Sequence, residues 1–132
     1  MANKIQRNDR TDNSNRMTTT IEVPIYDIDV IVIIDSDWTS VNKEYDLGLE
    51  GTDFQAQAWT IYDPEDEDKI YVLFKNSTLD YSTICHELHH VIARICEARD
   101  IVMDHKNDEP LAYLQAYIGQ RIFEIRDQFL KF

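Results

Sequence analysis

Residues 83–95 read TICHELHHVIARI and bring three of the chain's four histidines into five positions. Apolar residues recur here three and four positions apart, which is the spacing of one face of an α-helix. They are Ile84, Leu88, Val91 and Ile95. Ser77 or Thr78 as N-cap, with Asp80 in an acidic first turn, is typical of a helix start. The stretch therefore predicts a helix that packs its apolar face on a core.

The histidines lie on the other side of that predicted helix. At about 100° per residue, His86 and His90 are about 40° apart, with Glu87 beside them and the apolar face roughly opposite. His89 is about 100° away from His90, so we predict an incidental surface position for it. A solvated helix face would occupy the same arc as a metal site, so the arc alone does not distinguish a metal site from a solvated face.

The His-Glu-x-x-His spacing of residues 86–90 favours the metal site. Two imidazoles one helical turn apart can direct nitrogen atoms at a single zinc ion, each at about 2.0–2.1 Å. Glu87, next to the first histidine, is placed to take a proton from water activated by the metal. We therefore expect Zn²⁺ to bind His86 and His90, with Glu87 as the general base.

A catalytic zinc site usually has three protein ligands, so a further donor is expected downstream. The candidates are Cys96, Glu97, His105, Asp108 and Glu109. Glu97 is two turns beyond His90, about 10 Å along the axis, which is too far to share the ion. Glu109 is the leading candidate, and His105 in the preceding loop is its competitor. If His105 is not a ligand, it is a candidate hydrogen-bond donor to a developing oxyanion.

Glu109 opens a second predicted helix over residues 109–130. Its apolar face carries Leu111, Leu114, Ile118, Ile122, Ile125 and Phe129. A neighbouring stripe of small residues would let another helix approach closely. That stripe consists of Ala112, Ala116 and Gly119.

The segments before the two helices read as strands and one short helix. IEVPIYDIDVIVIID, residues 21–35, is rich in β-branched residues and predicts a central strand that begins near Pro24. A short helix is predicted over residues 37–46, with Asp35 or Ser36 as its cap.

QAQAWTIY and KIYVLF flank the turn-rich DPEDED and predict a hairpin. The order strand, helix, hairpin, helix, helix predicts an α+β fold, with a short antiparallel or mixed sheet packed on the histidine helix and a C-terminal helix.

Composition limits the organisation and the partners. A chain of 132 residues suits one domain, which we predict over residues 19–132 after a flexible polar tail of residues 1–18. Acidic residues outnumber basic ones 25 to 13, and a net charge of -12 disfavours nucleic acid and anionic membranes and favours a basic partner, if any. No apolar run is long enough for a membrane span or a signal peptide, so we expect a cytoplasmic protein. Cys85 and Cys96, about 16 Å apart on one helix, are expected to be reduced.

One family resembles this pattern. The string HELHH, with Glu109 nineteen residues after its last histidine, resembles the gluzincin clan of zinc metallopeptidases in a minimal, zincin-like form. The wider string that ends in DEPLAYLQAYIG is similar to small proteins encoded by bacteriophages and prophages. The resemblance covers roughly residues 69–122. It implies three zinc ligands, His86, His90 and Glu109.

The same resemblance implies roles for neighbouring residues. It makes KIYVLF, residues 69–74, the strand next to the active-site helix that pairs with a peptide. Tyr113 stands where larger gluzincins often place an aspartate that orients a histidine, so Tyr113 is a candidate to support the metal site or to stabilise an oxyanion, and otherwise a packing residue. SprT-like metalloproteins, another zincin branch, carry a third histidine after HExxH, so His105 remains a candidate for the third ligand.

Three functions follow from these observations. The first is a zinc-dependent metallopeptidase that acts on a peptide or protein. The resemblance implies that a phage encodes it. The second is a non-catalytic zinc-binding protein of a phage, with a structural or host-interaction role. The third, an acidic nucleic-acid mimic, is disfavoured because only the short DPEDED segment is densely acidic.

Overall fold

The computed structural model describes residues 5–7, 16–66, 68–106 and 108–131 and has a mixed β-sheet between helical layers. Its strands are β1 (Ile5–Arg7), β2 (Met17–Val23), β3 (Ile28–Ile34), β4 (Ala58–Tyr62) and β5 (Lys69–Phe74). Its α-helices are α1 (Trp38–Tyr45), α2 (Tyr81–Ala98) and α3 (Asp108–Leu130), and Gly51–Gln55 form a 3-10 helix. The strand order is β1-β2-β3-β5-β4, and only β3 and β5 are parallel. The predicted α+β class, with two helices packed on a mixed sheet, is confirmed.

The predicted central strand is β3, but it begins at Ile28 and not near Pro24; residues 21–23 belong to β2, so the region is a hairpin. Pro24 lies in the turn between β2 and β3 and does not begin a strand. Ile25 and Asp27 in that turn have positive φ angles of 74° and 57°. Asp27 is a residue type that tolerates positive φ, but Ile25 is β-branched and seldom adopts it, so Ile25 gives no signal for the turn.

The predicted flexible tail of residues 1–18 is too long. Residues 5–7 pair with residues 19–21 as β1, and β2 begins at Met17, which is fully buried. Thr18 is buried as well. Residues 1–4 and 8–15 lie outside the described part of the chain.

The two faces of the sheet are covered by different elements. One face packs on α2 and α3 through a large apolar cluster that includes Val30, Val32 and Val72. The other face packs on α1 and the segment after it, through Ile33 and Leu73. Period-two alternation along β3 and β5 produces this division, because successive side chains point to opposite faces. Within the described residues, no helix is long and apolar enough to cross a membrane.

Helix α2 begins later than its first hydroxyl residues suggest. Its N-cap is Asp80, whose carboxylate accepts a 2.7 Å hydrogen bond from the backbone N–H of Thr83, so neither Ser77 nor Thr78 is the cap. Helix α1 likewise takes Asp37 as its cap. In both helices the side chain of the residue directly before the first turn accepts a hydrogen bond from one backbone N–H that has no partner within the helix.

Helices α2 and α3 run antiparallel and touch closely at one glycine. A Cβ atom at Gly119 would lie 3.0 Å from Leu88 Cδ2, and the rings of Tyr81 and Phe123 are 5.0 Å apart. Of the predicted small-residue stripe, Ala112 and Ala116 are exposed, and only Gly119 is buried. The register places the middle of α2 beside the middle of α3.

Candidate metal centre

His86 and His90 lie one turn apart on α2, on the side turned away from the core. Their Nε2 atoms are 3.2 Å apart, and their ring centroids are 4.9 Å apart. The His86 side chain is 69% exposed, while His90 is half-buried. Both imidazoles therefore point one nitrogen at the same small volume, which solvent can enter.

His89 does not share this arrangement. It is exposed, and its ring contacts that of His90 at a centroid distance of 6.0 Å. The helix phase predicted this separation.

Glu87 joins the histidine pair from the buried side. Its side chain is only 7% exposed, and its Oε2 lies 3.9 Å from His86 Nε2. Its other oxygen, Oε1, accepts a 2.6 Å hydrogen bond from the hydroxyl of Thr60 on β4. Within the described residues, His86, Glu87 and His90 form a group whose ligand atoms lie within 4.8 Å of one another.

An open groove of about 300 Å³ runs along these side chains, between α2 and β4. Its lining residues are Ala58, Trp59, Thr60, His86, Glu87, His90 and Arg94. Arg94 is one turn beyond His90 and brings a cation to the groove, with its Nε 3.0 Å from Glu97 Oε1. Neither Thr60 nor Arg94 is among the site residues expected from the sequence, although Arg94 continues the four-residue spacing of the two histidines.

Strand β4, and not β5, presents the free edge beside this groove. Strand β5 pairs with β3 on one side and with β4 on the other, so KIYVLF, residues 69–74, has no edge for a peptide. Strand β4 ends the sheet order in the described part of the chain. The expectation that KIYVLF pairs with a peptide is therefore wrong, since β5 is paired on both sides.

Glu109 lies away from the histidines in the structure. Gly119 lies against Leu88, between His86 and His90 along α2, and Glu109 is ten residues before Gly119. At about 1.5 Å per residue, Glu109 lies roughly 15 Å further along α3, towards the C-terminal end of α2. Helix α3 also packs on the Leu88 side of α2, while the histidines face β4.

The other expected site residues also lie elsewhere. His105 is exposed in the turn before α3, and Tyr113 is 71% exposed on α3. Neither lines the histidine groove or belongs to the group of ligand atoms. Among the expected residues, the structure brings together His86, His90 and Glu87.

The two cysteines are free and differ in environment. Cys85 is exposed, whereas Cys96 is buried, and desolvation by burial raises the pKa of the Cys96 thiol. The two thiols do not pair with each other, as their spacing along the helix predicts. Neither thiol belongs to the His86 group.

No protein-family model, curated protein or solved structure matches the chain.

Proposed function

We propose that the chain is a zinc-dependent metallopeptidase of zincin-like type, with His86 and His90 as zinc ligands and Glu87 as the general base. The 3.2 Å separation of the two Nε2 atoms carries the proposal. Two nitrogen ligands at about 2.0–2.1 Å from a tetrahedral zinc ion are about 3.3 Å apart. The separation of the pair therefore matches that of two nitrogen ligands on one zinc ion.

The donor chemistry agrees with the distance. Neutral imidazole is the commonest zinc donor, and a carboxylate beside two imidazoles adds the charge that a divalent cation requires. Hydrogen bonding between two imidazoles would give a similar separation. That alternative does not account for the buried carboxylate turned towards the same point.

Bound zinc supplies a Lewis acid that polarises a carbonyl and makes water nucleophilic near neutral pH. Glu87 takes the proton of the attacking water on Oε2, because Oε1 is held by Thr60. The same oxygen then gives the proton to the leaving amine. The free edge of β4 binds the peptide backbone by strand addition next to the groove.

A Glu87→Gln variant tests the base assignment. Glutamine keeps the shape of the side chain but accepts no proton, so the variant should hold as much zinc as the wild type and lose cleavage of peptides found by library profiling. His89→Ala is the matched control and should retain both properties. Full cleavage by Glu87→Gln would refute the base role, and loss of zinc would make Glu87 a ligand.

A non-catalytic zinc-binding role, as a phage structural or host-interaction protein, is the second candidate. The position of Glu109 favours it, because the described residues offer two imidazoles and one carboxylate at the site and no further ligand from α3. This role predicts melting that depends on zinc, no cleavage of any peptide in the library, and a stable complex on partner pull-down.

The setting of the protein is part of the proposal. Free Cys85 and buried Cys96 suit a reducing compartment such as the cytoplasm. The net charge of -12 suits a basic peptide or protein as substrate or partner.

A further inference from the structure

We infer that Thr60 is a positioning residue for Glu87, which fixes one carboxylate oxygen so that the other faces the histidine pair; this inference rests on the proposed function. The 2.6 Å bond from Thr60 Oγ1 reaches across from β4 to α2. It is the one hydrogen bond of the Glu87 carboxylate among the described residues.

Burial makes this bond important for the carboxylate. An ionised carboxylate with a side chain 7% exposed has little water to satisfy it, and a hydroxyl donor contributes a charge-assisted hydrogen bond. Without that donor, the side chain would turn towards the open groove, where water and the imidazoles offer partners. Thr60 therefore selects one rotamer of Glu87.

The two oxygens consequently have different tasks. Oε1 is occupied by the hydroxyl, while Oε2 lies 3.9 Å from His86 Nε2 and has no hydrogen-bond donor among the described residues. An oxygen without a donor is the one that can accept a proton from water. The hydroxyl of an edge-strand residue thereby orients a base that lies on a helix.

The position of Thr60 connects the orientation of Glu87 with peptide binding. Thr60 is the central residue of β4, paired with Val72 of β5 on one side, while the other edge of β4 borders the groove. A peptide added to β4 would hydrogen bond to the backbone around Thr60 while its hydroxyl holds Glu87. Substrate and base would then be positioned by the same strand.

The test compares Thr60→Val with Thr60→Ser. Valine has nearly the shape of threonine and suits a strand, but lacks the hydroxyl; serine keeps the hydroxyl. Purified wild type and both variants are loaded with Co²⁺ in place of zinc, and their visible absorption spectra are recorded at equal metal content. We expect Thr60→Ser to match the wild type and Thr60→Val to give a shifted spectrum, because a released carboxylate changes the surroundings of the ion.

Turnover supplies a second readout. We expect Thr60→Val to lower kcat about 10–100-fold, the usual effect of losing an outer-shell partner, with KM nearly unchanged and kcat restored by Thr60→Ser. An unchanged Co²⁺ spectrum and unchanged kcat in Thr60→Val would overturn the inference. Loss of kcat in both variants would also overturn it, because the hydroxyl would then not be the cause.

Failure of the proposed function gives a different result. A wild type that takes up no Co²⁺ refutes the metal site. Urea unfolding of the metal-free Thr60→Val, Glu87→Leu and double variants then tests the contact by itself. Non-additive effects on the unfolding constant support the Thr60–Glu87 interaction, and additive effects overturn it.

Discussion

Replacing Ile95 by alanine tests which face of α2 packs on the core and which face carries the histidines. Ile95 is fully buried in the cluster between the sheet, α2 and α3. The substitution removes three carbon atoms, which corresponds to about 2.4 kcal/mol of lost transfer free energy at about 0.8 kcal/mol per buried methylene group. The remaining cavity adds to this loss, so the free energy of unfolding should fall by about 3–4 kcal/mol.

Urea unfolding followed by circular dichroism measures this change, and the melting temperature should fall by about 10 °C for a chain of this length. Zinc content should not change, because His86 and His90 point away from the cluster. His89→Ala, at an exposed position of the same helix, should alter the free energy of unfolding by less than about 0.5 kcal/mol. A loss below about 1 kcal/mol in Ile95→Ala, or a larger loss in His89→Ala, would refute the assigned phase of α2.

Three further predictions concern the same helices. A thiol reagent should label Cys85 in the native protein and Cys96 only after addition of denaturant, because burial covers the Cys96 thiol and raises its pKa; mass spectrometry after short labelling checks this. The hydrogen bond from the backbone N–H of Thr83 in the first turn of α2 lowers the pKa of Asp80, so its contribution to stability is present above the unfolded value near 3.8 and is lost as pH falls through the lower folded value. The advantage of wild type over Asp80→Asn in urea unfolding should therefore shrink as pH falls below 3.8, and an advantage that does not change with pH would contradict this prediction. Gly119→Leu should reduce the free energy of unfolding by about 1–3 kcal/mol, because the new side chain meets Leu88 directly, and an unchanged urea midpoint would contradict the close approach.

The sequence predicts the helices well because their apolar residues repeat over many turns. The apolar positions of α2 are Ile84, Leu88, Val91 and Ile95, and all of them are buried. The same periodicity that places these residues on the core places His86 on the open side. A long, regular repeat leaves little freedom in the orientation of a helix.

The first hairpin could not be predicted for a local reason. Its turn contains Pro24 and Asp27 but no glycine, and one of its two positive φ angles falls on Ile25, a β-branched residue that seldom adopts it. The β-branched residues on both sides of the turn then read as part of one strand. The pairing of β2 with β1 and of β3 with β5 determines that two strands form here.

Some site residues can likewise be predicted from the local sequence, and others depend on tertiary packing. His86, Glu87 and His90 are local to one helix, and their arrangement follows from spacing alone. Glu109 depends on how α3 docks on α2, and the Leu88–Gly119 contact sets a register that places Glu109 far from the histidines. Thr60 is separated from Glu87 by 27 residues, and its contact depends on the pairing of β4, which no local pattern reveals.

Metal analysis of the purified protein tests the central claim, that His86 and His90 together hold zinc. The structure predicts one zinc ion per chain in the wild type and in His89→Ala, and loss of zinc in His86→Ala and in His90→Ala. Glu109→Ala should retain the ion, given its distance from the pair. A wild type without zinc, or either ligand variant with full zinc content, would contradict the account.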